Sequence, residues 1–261
     1  EEARRLIAGG TVEITLLGQN VNAWHGYDNK SGNSAGLGKL IRELADLDGL
    51  KRLRYTTSHP LDMDDDLINA HRDVDVLMPY LHLPVQSGSD NILRRMNRKH
   101  GRDDYFRIID KLRDVSPDIA LSGDFIVGFP GETDKDFQDT MDLVDKVGYD
   151  ESFSFIYSPR PNTTAKDLED SVHMEVKKER LKLLQQKLEN SALSISRKMV
   201  GETRKCLVTG VSKKDPGEFQ ARADNNKVVI FPCNDESLIG NFVDIEILQA
   251  QNKSIRGLLV G

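Results

Sequence analysis

Cysteine is almost absent from this chain of 261 residues, which contains only Cys206 and Cys233. The two thiols are far apart in the sequence, so they match neither a metal-binding motif nor the disulfide framework of a small secreted domain. We interpret both as packing residues of a reduced, cytoplasmic protein.

Long apolar runs are also missing. No stretch approaches the roughly 18 residues that a membrane span requires, and no signal peptide opens the sequence. With 38% hydrophobic and 30% charged residues, the composition is typical of a folded globular protein. The chain opens with EEARRLIAGG, which resembles the last part of an amphipathic helix. We therefore expect the natural protein to extend upstream of this point.

Several standard motifs are lacking too. The sequence has no GxGxxG dinucleotide loop, no GxxxxGKS/T phosphate loop and no GxSxG nucleophile turn. The six histidines show no metal-ligand spacing, and we nominate no metal ligand and no catalytic acid or base. The acidic run 62–66 is interpreted as a helix start. His59 follows a predicted strand, and a structural role and a role in a site are equally open for it.

The charge is unevenly distributed along the chain. The net charge is −6, from 36 basic and 42 acidic residues. Residues 197–261 contain 10 basic and 8 acidic side chains, which gives +2, and the preceding residues carry −8. A mildly basic tail beside an acidic body is a weak indication of an anionic partner for the tail.

The first 160 residues alternate between strand-like and helix-like segments. The predicted strands are 12–18, 52–57, 80–86, 119–128 and 151–157. The predicted helices are 38–48, 62–72, 89–115 with an interruption at 99–101, and 133–147, the last capped by Thr133 with Asp136 three positions on. Strands that alternate with helices of this length predict βαβ units and a parallel sheet.

The tail has a different pattern. After a loop at 158–165 and a long amphipathic helix at 174–199, five short strands are predicted at 203–210, 218–223, 227–231, 241–248 and 255–260. Five short strands separated by turn residues indicate a small barrel of the oligonucleotide-binding type. We divide the chain into a core at 1–170, a connecting helix at 171–199 and a β-barrel at 200–261.

Ligands of parallel α/β folds bind at the carboxyl ends of the strands. Here those ends carry neutral polar side chains, glycine or proline, in the segments GQNVN, TTSHP, QSGS, GFPGET and SPRP. Such a set suits a polar, uncharged small molecule better than metal-assisted hydrolysis. Asp124 enters an apolar strand, where a carboxylate is costly unless a donor meets it.

Five segments closely resemble the radical SAM methylthiotransferase family: LLGQNVNAWHG, RYTTSHP, LHLPVQSGSDNILRRMNRKH, SGDFIVGFPGET and FSFIYSPRPNTTA. The segments ARADNNKVVIF and GNFVDIEI resemble the TRAM domain that ends those enzymes. The resemblance implies an α/β fold, namely a partial TIM-like radical SAM barrel, followed by a small five-stranded, all-β, OB-like TRAM barrel.

The resemblance also implies S-adenosyl-L-methionine as cofactor, with seven residues around it. These would be Gln19 and Asn20 near its amino group, Gln86 and Asp124 on the ribose hydroxyls, Arg98 on the carboxylate, and Ile126 and Val127 against the adenine. For Arg98, a solvated cation at a helix end is an equal alternative. The CxxxCxxC loop that holds a 4Fe-4S cluster in the family is not in this chain. We expect the cluster ligands in the full-length protein only, and the chain alone to be inactive.

The string GQNVNAWHG favours the branch of the family that methylthiolates carbon 2 of N6-isopentenyladenosine, next to the anticodon of tRNA. In the TRAM barrel, the resemblance suggests RNA contacts by Lys205, Lys213, Lys214, Arg222 and Lys227, and for each of them a solvated position on the barrel surface is the alternative. Phe219 and Phe231 either stack on bases or pack in the core. Two alternatives stay open: a methylthiotransferase that acts on a ribosomal protein side chain, and a non-catalytic RNA-binding module. The sequence leaves the oligomeric state open.

Overall fold

The computed structural model describes residues 1–27, 32–159 and 168–260. Of the predicted loop at 158–165, residues 160–165 lie outside this part of the chain. The described residues form an α/β body, a long helix and a β-barrel. None of their helices is both long enough and apolar enough to cross a membrane.

The body contains six helices and seven strands within the described ranges. The helices are α1 (Glu2–Ala8), α2 (Leu37–Ala45), α3 (Asp65–Asp73), α4 (Asp90–Arg95), α5 (Arg102–Val115) and α6 (Asp134–Val147). The strands are β1 (Glu13–Leu16), β2 (His25–Tyr27), β3 (Ser34–Gly36), β4 (Arg52–Tyr55), β5 (Tyr80–His82), β6 (Ala120–Val127) and β7 (Glu151–Ile156). The hairpin of β2 and β3 was not predicted, because two strands of three residues are too short to show a period.

The predicted parallel sheet is confirmed. Strand β1 pairs in parallel with β4, and β5, β6 and β7 pair in parallel with one another. Three backbone hydrogen bonds connect these groups: Leu53 N–H donates to the carbonyl of Val76 at 2.7 Å, Met78 N–H to that of Leu53 at 2.8 Å, and Ser58 N–H to that of His82 at 3.4 Å. The strands therefore follow one another across the body in the order β1, β4, β5, β6, β7, as in part of a parallel barrel.

The sheet has two unlike faces, because successive residues of a strand point to opposite sides. In β4, Leu53 and Tyr55 are buried in the core under the helices. In β6, Phe125 and Val127 lie in that same core, whereas Asp124 is on the other side and is only partly covered. We call this second side the inner face.

Side-chain caps define the first residues of helices α3, α4 and α6. Thr133 and Asp136 form the predicted capping box of α6, with Thr133 N–H donating to Asp136 Oδ2 at 2.9 Å. Helix α3 begins at Asp65 rather than at 62, because Asp64 Oδ1 accepts the Leu67 N–H at 2.7 Å and caps the helix there. The predicted interruption of 89–115 is present between α4 and α5, where Asn97 has φ 57°.

Helix α7 (Met174–Lys198) leads to a closed barrel of five strands, as predicted. The strands are β8 (Thr203–Val211), β9 (Glu218–Ala223), β10 (Val228–Pro232), β11 (Phe242–Ala250) and β12 (Ile255–Leu259), paired in the order β10, β12, β11, β8, β9. Helix α7 contributes Leu184 and Leu188 to the core of the body, and Met199, just after its end, to the core of the barrel.

The barrel contacts the body at the amino-terminal end of the sheet. Arg52 is 4% exposed and donates to the carbonyls of Arg222 at 2.9 Å and Lys205 at 3.2 Å. Its guanidinium also lies 4.7 Å from the centroid of the Phe242 ring. Each of these contacts is desolvated, so the barrel is fixed at the end of the sheet opposite to the carboxyl ends of the strands.

The other end of α7 supports the turn that follows β6. Glu132 is buried, and its Oε2 accepts the Gly128 N–H and the Arg180 Nη1–H, each at 2.8 Å. Arg180 also donates to the Glu132 carbonyl at 3.1 Å and to Asp134 at 2.7 Å. Burial raises the pKa of Glu132, although the Gly128 N–H and Arg180 both oppose the rise. The sequence GFPGE is therefore held in one shape from inside the protein.

The buried side chain of Lys177 packs against this turn at Gly128. It is 1% exposed, and its Nζ donates to Asp170 at 2.6 Å. Gly128 has φ 69°, and a Cβ built on it would lie 2.4 Å from Cγ of Lys177. Only glycine fits here, because the backbone conformation and the Lys177 side chain both exclude a Cβ.

We predict that Gly128→Ala lowers the free energy of unfolding by about 1–3 kcal/mol more than Gly148→Ala does. Both glycines have positive φ, but nothing lies within 4 Å of a Cβ at Gly148, so that variant measures the backbone strain alone. Urea unfolding followed by circular dichroism checks the difference. Equal losses in the two variants would show that Lys177 yields without cost.

We predict that Arg180→Met costs about 3–5 kcal/mol of stability, since it leaves the Glu132 carboxylate buried without its cation. The matched control is Lys187→Met on the same helix, whose ion pair with Asp145 at 2.6 Å is 25% and 65% exposed. That change should cost about 1 kcal/mol or less. Chemical denaturation of both variants measures the contrast, and a small loss in Arg180→Met would contradict the proposed role of the pair.

Candidate functional site

The loops after β1 and β4 are joined by hydrogen bonds at the carboxyl end of the sheet. Asn22 Nδ2 donates to the carbonyl of His59 at 2.8 Å, and Asn22 Oδ1 accepts the His59 N–H at 2.7 Å. Val21 N–H donates to the carbonyl of Thr57 at 3.0 Å. Asn20 Nδ2 donates to Asp62 at 2.7 Å. Asn20 and His59 are therefore held side by side, whereas Gln19 is exposed.

Two residues at these strand ends have an uncommon backbone conformation. Thr57, after β4, has φ 66°, and Gln86, after β5, has φ 75°. For a β-branched threonine this conformation is an outlier. Such strain persists where the surrounding structure imposes it, and it is concentrated in functional sites.

Gln86 and Asp124 are neighbours in the structure. Gln86 N–H donates to the Asp124 carbonyl, and the Gln86 carbonyl accepts the Ile126 N–H, each at 2.9 Å. Both side chains are partly exposed at the inner face. The structure thus brings together the two residues that were predicted to bind ribose, one from each of two adjacent strands.

Asp124 shares the inner face with His82 and Ile126. His82 Nε2 lies 3.5 Å from Asp124 Oδ2, and His82 Nδ1 lies 2.9 Å from Ser122 Oγ. The carboxylate is 28% exposed. It therefore has a nearby polar partner in the protein and still faces open space beside Ile126.

The prediction for Val127 is wrong. Its side chain is fully buried in the core together with Phe125, on the face that the helices cover. Alternation along β6 places Ile126 on the inner face and Val127 on the opposite face. The side chain of Val127 therefore cannot flank an adenine beside Asp124, whereas that of Ile126 can.

Arg98 lies next to two histidines at the same end of the sheet. Within the described part of the chain it forms no ion pair and no side-chain hydrogen bond. Burial lowers its pKa, and its charge in turn lowers the pKa of His59 and of His100. Arg98 is thus a partly desolvated cation that has no anion beside it among the described residues.

Several buried polar atoms in the loops at this end of the sheet are unsatisfied. Among the described residues, Asn20 Oδ1, Ser58 Oγ and both ring nitrogens of His100 lack a hydrogen bond of good geometry. His100 is 2% exposed, and its ring lies edge-on to that of His59 with centroids 5.5 Å apart. Burial lowers the pKa of His100 to about 4, although the Val85 backbone favours its charged form. Unsatisfied buried groups are rare in proteins, and a cluster of them is typical of a ligand site.

Of the five predicted RNA-binding cations, three are exposed on the barrel and two contact protein groups. Lys205, Lys213 and Lys214 are exposed. Lys227 Nζ donates to the carbonyl of Asp150 at 2.8 Å, and Arg222 Nη1 donates to the carbonyl and the side-chain oxygen of Asn226, both at 2.9 Å. Burial lowers the pKa of Lys227, while Asp150 opposes that shift.

Phe219 and Phe231 belong to the core of the barrel. They are 2% and 0% exposed, with ring centroids 6.3 Å apart. Neither ring is accessible to a base, so the packing alternative is the correct one for both. Their buried positions alternate with less buried positions along β9 and β10, which is the pattern of strands with one buried face.

The two cysteines do not fit an iron–sulfur cluster. Cys206 is fully buried in the core of the barrel, where burial raises the pKa of its thiol to about 12. Cys233 is half-buried just after the end of β10. No group of three or more histidine, cysteine or acidic side chains in the described ranges could hold a metal ion.

Sequence reasoning missed several residues of the site. Glu132 was interpreted only as the start of a helix, and Arg180 and Lys177 are distant in sequence from the turn that they support. His100 was noted only as part of a helix interruption. One signal could have indicated Lys177 and Arg180: both lie on the buried face of α7, in line with Leu184 and Leu188. A charged residue on a buried face needs a partner.

Comparisons with known proteins agree with this geometry. The profile of the radical SAM superfamily matches residues 1–144, and that of the TRAM domain matches residues 197–260. Two proteins named tRNA-2-methylthio-N(6)-dimethylallyladenosine synthase are similar. The one from Alcanivorax borkumensis is 52% identical over 257 residues, and the one from Pseudomonas savastanoi is 53% identical over 259 residues.

These alignments cover 98% and 99% of this chain, and the chain spans 58% of the length of each relative. Among solved structures, coproporphyrinogen III oxidase from Escherichia coli is 16% identical, with a TM-score of 0.47, over 80% of this chain and 50% of that chain. The superfamily profile matches more than half of the sequence, and it includes the strand ends described above. The chain therefore belongs to the radical SAM superfamily.

Proposed function

We propose that the chain is the cofactor-binding body and the RNA-binding barrel of an enzyme that methylthiolates carbon 2 of N6-isopentenyladenosine in tRNA. The observation that carries this proposal is the cluster of unsatisfied groups at the carboxyl end of the sheet, around Arg98 and His100. The names of the relatives supply the reaction and the substrate. We also propose the division into a core at 1–170, a connecting helix at 171–199 and a barrel at 200–261.

The polar groups of the site fit S-adenosylmethionine. Asn20 Oδ1 is a free acceptor for the amino group of the ligand, and Arg98 is a cation without an anion. Asp124 and Gln86 lie on adjacent strands with room beside them, as a ribose diol requires. Ile126 offers an apolar surface for the adenine, next to a turn that Glu132 keeps in place. When bound, the cofactor supplies radical chemistry and the methyl group.

The residues of this chain bind and orient, and we assign no proton transfer to them. A cluster that activates the cofactor needs cysteine ligands, and the buried Cys206 and the distant Cys233 do not fit that task. We propose that those ligands, and with them the activity, belong to the longer protein. Lys205, Lys213, Lys214 and Arg222 are proposed to contact tRNA phosphates, and Lys227 to contribute from the seam between body and barrel.

We predict that Asp124→Asn weakens binding of S-adenosylhomocysteine to this chain about tenfold, because charge-assisted hydrogen bonds to the ribose are lost. The control Asp110→Asn makes the same chemical change at an exposed carboxylate of α5, away from this face, and it should leave the affinity unchanged. Isothermal titration calorimetry measures both. With the 2′-deoxy ligand, the effect of Asp124→Asn should shrink. Equal effects of the two variants would refute the assignment.

We predict that deletion of the gene for the full-length protein removes the 2-methylthio group from tRNA and leaves N6-isopentenyladenosine in its place. Mass spectrometry of digested tRNA checks this, and the Asp124→Ala gene should fail to restore the modification while the Asp110→Asn gene restores it. Unchanged tRNA together with an altered ribosomal protein mass would instead favour the protein-modifying alternative. If neither changes, while the chain still binds tRNA, the non-catalytic module is favoured.

A further inference from the structure

A cavity of about 530 Å³ lies between the body and the barrel, along the free edge of β7. This interdomain cavity has a body wall that includes Phe153 and Phe155, and a barrel wall that includes Arg222, Asn226, Lys227 and Lys253. Its volume is in the range of sites for small ligands. Among the described strands, β7 pairs only with β6, so one backbone edge of β7 faces the cavity.

The body wall presents two exposed aromatic rings. Phe153 and Phe155 are 51% and 55% exposed, and they are the two exposed phenylalanines of the described part of the chain. They are two positions apart in β7, so they lie on the same face. In register they stand opposite Asp124 and Ile126. The rings therefore continue the inner face beside the residues proposed to hold ribose and adenine.

The barrel wall is positive and rich in amides. Its cations are Arg222, Lys227 and Lys253, and every other residue that it contributes to the lining is neutral. The acidic residues of the lining lie outside the barrel wall: Asp150 and Glu151 belong to the body wall and Glu189 to helix α7. Lys227 is partly neutralised by Asp150 at 3.8 Å, whereas Lys253 is exposed on the loop between β11 and β12. One wall thus offers flat apolar rings and the other offers positive charge and hydrogen-bonding amides.

We propose that the interdomain cavity binds an unpaired RNA nucleotide, with its base stacked on Phe153 and Phe155 and its phosphate beside Arg222 and Lys253. This inference rests on the proposed function and specifies where the RNA strand passes. Nucleobases stack on aromatic rings with little dependence on sequence, and a cationic groove attracts the phosphates. A polypeptide segment would match the apolar rings equally well, but it would leave the cationic wall without anions. The charge of the barrel wall therefore favours RNA.

The experiment uses this chain and a short single-stranded RNA that contains one 2-aminopurine, whose fluorescence is quenched when it stacks. We expect binding with quenching in the unchanged chain. The double variant Phe153→Ala/Phe155→Ala should bind roughly tenfold more weakly and lose the quenching. The variant Phe153→Tyr/Phe155→Tyr should retain both, because it keeps the rings and the strand propensity.

The matched control is Tyr27→Ala, which removes an aromatic ring that is 68% exposed on the hairpin of β2 and β3, outside the lining of the cavity. It should leave affinity and quenching unchanged. A second readout tests the phosphate contact: Lys253→Gln should lower the slope of log affinity against log salt by about 0.7, whereas Lys182→Gln, on the exposed side of α7, should not.

Two results would overturn the inference, and they differ in what they imply for the proposed function. If the chain binds and quenches the RNA and the double alanine variant does the same, the stacking site is wrong and the RNA-binding function stands. If the unchanged chain binds no RNA at all, both fail. Circular dichroism of each variant verifies that a loss of binding is not a loss of fold.

Discussion

The buried contact of Arg180 with Glu132 is the interaction on which the candidate site depends. Glu132 holds the Gly128 N–H, and Arg180 holds both the side chain and the carbonyl of Glu132. A buried ion pair adds little net stability, but it tolerates few alternative arrangements because each partner is costly when alone. The shape of the turn after β6 therefore depends on helix α7, whose Arg180 follows Glu132 by 48 residues in the sequence. Helix α7 in turn ends in the core of the barrel at Met199, so one rigid element supports both the cofactor end of the sheet and the domain at its other end.

The alternation of side chains along the strands divides the molecule into a scaffold and a site. Phe125 and Val127 face the helices, while Asp124 and Ile126 face inward. The same rule explains why Phe153 and Phe155 are exposed although their neighbours on β7 are partly covered by α7. The core packing and the proposed ligand site thus lie on different faces of the same strands. The exposed rings are costly for a protein in water, and this cost is understandable if the inner face is a binding surface.

The parallel sheet, the barrel and most helix boundaries could be predicted, because they depend on local periods and caps such as Thr133 with Asp136. The carboxyl ends of the strands were also correctly predicted to lie together, since the topology of parallel sheets places them at one edge, although β5 ends at His82 rather than at 86. The error at Val127 arose because Ile126 and Val127 were both assigned to the adenine, although the side chains of adjacent strand residues point to opposite faces. Arg180, Lys177 and His100 could not be assigned, because their roles come from contacts between segments distant in sequence, which no local pattern contains. The exposure of Phe153 and Phe155 could not be predicted either, because it depends on tertiary structure. Phenylalanine that alternates with serine is equally typical of a strand with one buried face.

The contacts between the body and the barrel change the interpretation of the charge of the tail. The net charge of +2 for residues 197–261 was a weak indication of an anionic partner for the tail, yet Lys227 contacts Asp150, and the carbonyl of Arg222 accepts a hydrogen bond from Arg52. Part of the basic character therefore lies against the body rather than away from it. A cation at such a seam is more effective than one on an open surface, because its field is less screened by solvent and salt. If RNA is the ligand, the cations of the barrel wall attract its phosphates to the edge of the inner face. The rings of Phe153 and Phe155 lie at the same edge. Charge and stacking therefore favour the same path for the RNA, from this edge toward the carboxyl ends of the strands.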